Sequence, residues 1–257
     1  MDYNYHTHTH RCSHATGTEE EYIKRAIENG IKYMGFSEHI PLVFPDGTET
    51  FYRLPFCQTK DYFEIIRALG EKYKDKIDIK IGFEMEYYPE YFDEMINTAK
   101  KYGAQYLILG QHFTKPEHPD FEPSSAKTDS IDALKGYVDS VIRAMKTKVF
   151  TYVAHPDIFQ FIGDADTYKS EMKKLCRASK ELDIPLEINF LGTRDNRNYP
   201  NEVFWQIAGE EQSPVTFGFD AHDIAAAFDK ESIEKAEELV KKCNLNYIGK
   251  PTLISIL

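Results

Sequence analysis

The chain has 257 residues, 42% hydrophobic and 28% charged, with a formal net charge of −11. That length and composition suit a soluble chain of one large α/β domain or two small ones, whose core needs no disulfide or structural metal. The negative charge, with no run of Lys or Arg longer than two, disfavours a nucleic-acid face, and no apolar stretch is long enough to span a bilayer.

Cys12, Cys57, Cys176 and Cys243 lie far apart with no C-x-x-C pair. This predicts a reduced, cytoplasmic chain rather than a disulfide scaffold or zinc ribbon. The N-terminus has no apolar h-region, so no signal peptide is expected.

Residues 4–14 hold four of the nine histidines. Residues 2–6 read as a short strand, so positions 6, 8 and 10 alternate onto one face. Two imidazoles at i and i+2 on a strand end can reach one cation. Interleaved threonines and a cysteine distinguish this stretch from a purification tag. Thr18-Glu19-Glu20-Glu21 is a capping box opening a helix that Gly30 stops. A strand at 33–37 leads to Glu38-His39. Residues 42–58 form a long loop rich in aromatics, Pro and Gly, with Arg53 among them, and loops of this length usually serve as lids or binding loops.

A helix from 59 to about 74 is followed by a strand at 77–83, which delivers Glu84 and Glu86. Another helix follows Pro89, with apolar positions in helical period. The strand at 105–109 ends in Gly110-Gln111-His112, and a helix covers 130–147. The strand at 149–154 ends in His155-Pro156-Asp157. Asp164 caps a helix to 182, and the strand at 185–189 enters an Arg-bearing loop at 190–199. A helix at 201–208 precedes the strand at 215–219, which ends in Asp220-Ala221-His222. An amphipathic helix at 232–243 comes last.

Strands alternating with helices, without a linker or composition shift, predict a single domain over 1–257, built as a parallel barrel or doubly wound sheet. His6 and His8, His39, Glu84, His112, His155, and Asp220 with His222 stand at or just after the C-terminal ends of predicted strands. In a parallel barrel those ends share the face where active sites form. His14 can turn back over the same mouth. Glu84 and Glu86 share a strand face, so the one nearer the strand end bridges cations while the other approaches substrate or supports a ligand. His10 and His118 fall outside the pattern. Seven histidines and two carboxylates exceed what one tetrahedral zinc uses. Two or three divalent cations sharing a carboxylate fit better, and these donors accept Zn, Fe, Mn or Co.

His6-x-His8-Thr9 with His14, Ser37-Glu38-His39, Gly82-Phe83-Glu84, Gly110-Gln111-His112, Ala154-His155-Pro156-Asp157 and Asp220-Ala221-His222 together resemble the PHP (polymerase and histidinol phosphatase) family over nearly the whole chain. Tyr5 to Thr9 with Cys12 and His14, and Leu186-Glu187-Ile188-Asn189 with Gly192 and Arg194 ahead of Tyr199-Pro200, are similar to its histidinol-phosphate phosphatases. The resemblance implies a distorted (β/α)7 barrel, a three-metal site at the strand ends, and hydrolysis of L-histidinol phosphate. It also sets the register at His6 and His8. Family members often carry a basic residue after His-Pro-Asp, where this chain has Ile158-Phe159-Gln160-Phe161.

The chemistry expected is metal-assisted hydrolysis of a small phosphomonoester, with Glu84 and Asp220 in the catalytic centre. Arg194 is the first choice for a fork on the phosphate oxygens and Arg197 the second. Arg53 and its loop would close over the leaving group, with Glu86 and Glu38 available to its ammonium. Asp164 reads as an N-cap rather than an aspartyl nucleophile. No cysteine-phosphatase motif, G-x-S-x-G elbow or P-loop occurs. The rival readings are a nucleotide phosphoesterase, which would want a basic approach surface, an amide hydrolase, which would want a strand-end lysine, and a non-catalytic metal-binding protein.

Overall fold

The computed structural model describes residues 1–256. Four parallel strands, β1 (Tyr3–Asn4), β2 (Tyr33–His39), β3 (Asp78–Met85) and β4 (Tyr106–Leu109), lie side by side in chain order. A second parallel sheet orders β5 (Leu186–Asn189), β6 (Pro214–Gly218) and β7 (Asn246–Tyr247). The predicted strand at 149–154 is the main departure. The backbone bends at Thr151 and Ala154, leaving Val153 as a single bridge residue, parallel to Leu109 on one side and Leu186 on the other. This segment still has its hydrogen bonds, from Thr151 N to Leu107 O and from Val153 N to Pro185 O, so it joins the two sheets without forming a ladder.

The first and last parts of the curled sheet meet through side chains. Tyr3 Oη accepts from Phe217 N at 3.2 Å, and Asn4 Oδ1 accepts from Phe219 N at 3.2 Å. One parallel bridge, Thr7 to Ala221, completes the contact. β7 was not expected, because two residues carry no periodic signal. Inside the curl, Tyr106 fills the space left by Gly35 and Gly82, and its hydroxyl donates to the Tyr5 carbonyl at 2.8 Å. A floor of Tyr3, Tyr5, Tyr106, Ile108 and Tyr152 therefore lies beneath the strand ends.

Helices cover the outside: α1 (Glu19–Glu28), α2 (Thr59–Tyr73), α3 (Phe92–Tyr102), α4 (Ile131–Lys146), α5 (Ala165–Leu182), α6 (Phe190–Arg194), α7 (Glu202–Glu211) and α8 (Lys230–Lys242). The expected capping box at Thr18 and Glu21 is present, and Asp164 caps α5 by accepting from Thr167 N. On α4 the buried set Leu134, Tyr137, Val138, Val141, Ala144 and Met145 follows the helical period. Burying the Leu, Val and Met side chains of this set contributes about 1.5–3 kcal/mol each, so Val141→Asp would disrupt the packing of α4 on α5. α6 replaces the start of the expected 190–199 loop. Asn189 caps it by accepting from Gly192 N, which outweighs the poor helix propensity of Gly192 and Thr193. All four cysteines are free, and among the described residues no helix is long and apolar enough to cross a membrane.

Candidate metal centre

The nine side chains singled out as ligands converge over the strand ends. His39 and Glu84 stand at the ends of β2 and β3, and His6 and His8 follow β1. His112, His155, Asp220 and His222 lie in the turns after β4, Val153 and β6. His155 and Asp220 take positive φ values, 32° and 46°. Non-glycine residues rarely adopt this conformation, and the surrounding packing must impose it.

Glu84 is the hub. Its Oε1 faces His155 Nε2 at 2.9 Å and His112 Nε2 at 3.3 Å. Its Oε2 faces His39 Nδ1 at 3.2 Å, His8 Nε2 at 3.4 Å and His6 Nε2 at 3.5 Å. Asp220 Oδ1 completes the second group, 3.5 Å from His6 Nε2 and 3.4 Å from His8 Nε2. A third group forms at the mouth from His14, His39 and His222.

The outer ring nitrogens explain these orientations. His6 Nδ1 donates to Glu187 at 2.8 Å, His8 Nδ1 to Glu38 at 3.2 Å and His112 Nδ1 to Glu86 at 2.7 Å. His14 Nδ1 donates to the Cys12 carbonyl at 2.6 Å and His222 Nδ1 to the Asp220 carbonyl at 3.2 Å. Each bond sets a tautomer that leaves the Nε2 lone pair facing inward, the usual support of metal-bound histidine. The Nε2 atoms of His14 and His222 consequently face each other at 3.0 Å.

Two observations test the fit to cations. Among the described residues, His6 Nε2, His8 Nε2, His39 Nδ1, Glu84 Oε2 and Asp220 Oδ1 are all buried without a hydrogen-bond partner. Such groups are costly to bury, and here five of them converge. The donor set of imidazoles and carboxylates is also that of a divalent transition-metal site. Burial lowers the pKa values of His6 and His8, but the carboxylates of Asp220, Glu187, Glu38 and Glu84 outweigh it and raise both well above the ordinary histidine range. His112 is likewise lowered by burial but raised by Glu84 and Glu86, reaching about 10. Positive charge is thus strongly favoured there. His14, with burial and the neighbouring His222 and His8 acting together, is pushed down to about 4 and presents a neutral ring.

The centre opens into a cavity of about 570 Å³, walled by Tyr52, Phe113, Ile158, Leu191 and Tyr199, with Asp195, Arg197 and Asp223 at its edge. Four expectations are corrected here. Arg194 turns away from the cavity: Nη2 donates to the carbonyls of Phe219 and Asp220, and Nη1 lies 3.5 Å from Asp229. Arg197 is the Lys or Arg side chain that lines the cavity among the described residues. Arg53 is 2% exposed and its donors are spent on Glu86, Glu117 and the Ile40 carbonyl, so it does not reach a leaving group. Glu86 and Glu38, both buried, support His112 and His8 instead of facing substrate, which for Glu86 is the second of the two roles expected of it. Glu187 had no role assigned from sequence. A carboxylate between Leu186 and Ile188 on a buried strand was the available signal. Asn189 holds it in place and also reaches Asp220 at 3.0 Å. His10 is exposed and His118 pairs with Asp46, both away from the centre.

A model of the PHP domain matches residues 4–190. A histidinol-phosphatase of Lactococcus lactis subsp. lactis is 35% identical over 261 residues, covering 96% of this chain and 93% of its own. A histidinol-phosphatase of Bacillus subtilis is 27% identical, covering 87% of this chain and 96% of its own. A crystal structure of histidinol phosphate phosphatase from Lactococcus lactis subsp. lactis, complexed with zinc, L-histidinol and phosphate, has a TM-score of 0.73 at 21% identity, covering 99% of this chain and 97% of that one. At that identity the structural likeness speaks for the fold. The family match and the relative at 35% identity establish descent: the chain belongs to the PHP domain family.

Proposed function

We infer that this chain is a metal-dependent histidinol-phosphatase, hydrolysing L-histidinol phosphate to L-histidinol and phosphate. The observation that carries the reading is the Glu84 carboxylate, whose two oxygens face two different sets of histidines beneath a cavity edged by Arg197. His6, His8, Asp220 and Glu84 would hold one cation, and Glu84, His112 and His155 a second. His14, His39 and His222 would hold a third, giving two to three ions drawn from Zn, Fe, Mn or Co. When bound, the cations supply the charge that stabilises the attacking and leaving oxygens of an in-line displacement. The parallel bridges at Val153 and Thr7 support reading the sheet as a distorted (β/α)7 barrel in one domain.

Arg197 takes the role first assigned to Arg194. Its guanidinium now pairs with Asp195 at 2.9 Å and is 45% exposed, so it is free to turn toward phosphate oxygens. Ile158 lines the cavity where the family often has a basic residue nearby, which leaves Arg197 to act without a second fork. Tyr52 and Phe113 offer apolar faces to an imidazole, and Asp195 and Asp223 offer charge to an ammonium. The net charge of −11 suits a small cationic leaving group better than a nucleic acid. Free cysteines suit the reducing cytoplasm. The test is a comparison of kcat/KM for histidinol phosphate, a nucleoside monophosphate and p-nitrophenyl phosphate on one metal-loaded preparation. A large preference for histidinol phosphate is expected, and equal values would remove the substrate assignment.

A further inference from the structure

A buried ionic knot ties loop 42–58 to the stretch after His112. Arg53 Nε donates to Glu117 Oε1 at 2.6 Å, and Nη2 donates to Glu117 Oε2 at 3.1 Å and to Glu86 Oε2 at 2.8 Å. Nη1 donates to the Ile40 carbonyl at 3.0 Å. Glu117 also accepts from the hydroxyls of Thr50 at 2.9 Å and Tyr88 at 3.0 Å. All three charged side chains are 1–2% exposed, and none of them lines the cavity. The other oxygen of Glu86 accepts from His112 Nδ1 at 2.7 Å, and His112 Nε2 faces Glu84. A continuous chain, Glu117–Arg53–Glu86–His112, therefore runs from loop 42–58 to the centre.

The three carboxylates behind the histidines are held differently. Glu187 lies within β5 and is gripped by Asn189 of the same strand. Glu38 lies within β2 and is gripped by the Thr9 amide and hydroxyl at 2.8 and 2.6 Å. Glu86 lies just beyond β3, and apart from His112 its side chain is held by Arg53 and by the Tyr52 hydroxyl at 3.4 Å, both from loop 42–58. Of these three supports, the one behind His112 is the one that depends on that loop for its orientation.

We propose that Arg53 and Glu117 are positioning residues that fix Glu86, and through it the His112 ring, so that this part of the metal centre depends on loop 42–58 for its geometry. The proposal rests on the metal-dependent reading of the site. The planar fork of Arg53 meets both carboxylates at once, which a lysine ammonium cannot reproduce. Glu117→Gln would keep the volume but withdraw the charge that holds the fork. Either change loosens Glu86 and the ring it orients, and losing such outer support typically costs roughly ten- to a hundredfold in metal affinity.

The experiment titrates Co²⁺ into the full-length protein and follows stoichiometry, affinity and the visible absorption spectrum for wild type, Arg53→Lys, Glu117→Gln and Asp46→Asn. Asp46 pairs with His118 at the exposed edge of the same loop and serves as the control. The expected result is about tenfold or more weaker binding of one cobalt ion with an altered spectrum in Arg53→Lys and Glu117→Gln, and wild-type behaviour in Asp46→Asn. If Arg53→Lys does not fold, Glu117→Gln decides. Unchanged stoichiometry, affinity and spectrum in both, even with a lower Tm, would overturn the clamp alone. Cobalt uptake without hydrolysis of histidinol phosphate would overturn the substrate reading alone. A wild-type protein that takes up no cobalt would overturn both.

Discussion

Gly110 lies against the Glu84 carboxylate so closely that a Cβ at position 110 would stand 2.0 Å from Glu84 Oε1 and 2.5 Å from Cδ. The turn after β4 therefore limits where the hub of the centre can sit. Gly110→Ala should push the carboxylate off its two histidine groups, an overpacking cost of about 1–3 kcal/mol. The expected outcome is reduced metal content measured by elemental analysis, with most activity lost and the circular dichroism spectrum retained. Full metal content and full activity would show that Glu84 tolerates displacement.

Glu84→Gln removes a charge and keeps the volume. A neutral amide cannot serve two cations as a carboxylate does, so metal and activity should fall together while the fold persists. Wild-type metal content with wild-type kcat would remove Glu84 from the bridging role.

Arg197→Ala should cost on the order of 3 kcal/mol of transition-state stabilisation, about a hundredfold in kcat/KM, with little change in Tm. Arg197→Lys should recover little of it. Arg194→Ala should show the reverse pattern, because Arg194 ties down the carbonyls of Phe219 and Asp220 ahead of His222. Its Tm should fall and its rate should suffer less than that of Arg197→Ala. Steady-state kinetics beside thermal melts separates the two.

Glu117 makes the knot around Arg53 sensitive to acid. Burial raises its pKa, but Arg53 and the hydrogen bonds around it outweigh burial and hold it at about 2, below the ordinary 4.5. A carboxylate depressed in the folded state binds fewer protons there than in the unfolded chain. Its stabilising contribution is complete above pH 4.5 and is lost as the pH falls from 4.5 toward 2. The Tm gap between wild type and Glu117→Gln should be widest near neutral pH and narrow across that window. A gap that is constant or widens on acidification would contradict the assignment.

Much of the centre was legible in the sequence because parallel strands alternating with helices bring their C-terminal ends to one face. His6, His39, Glu84, His112, His155 and Asp220 each end or closely follow a predicted strand, so their convergence needed only the order of elements. Cap residues such as Thr18 and Asp164 were legible for a similar reason, since capping is settled within four residues. The segment at 149–154 misled because its apolar composition is that of a strand, while the bends at Thr151 and Ala154 answer to its neighbours on both sides.

The sequence by itself determined which histidines and carboxylates stand at the strand ends, and so which side chains gather there. The tertiary structure alone decided which charged groups face the cavity. Arg194 and Arg197 lie three residues apart, yet Arg194 turns to the carbonyls after β6 and Arg197 to the cavity. Arg53 meets Glu117 across a separation of 64 residues, and His6 meets Glu187 across 181. Local propensity carries no information over such distances. A buried charge must find a partner wherever the packed chain brings one, and that pairing sent Glu38, Glu86 and Glu187 behind the histidines rather than toward a substrate.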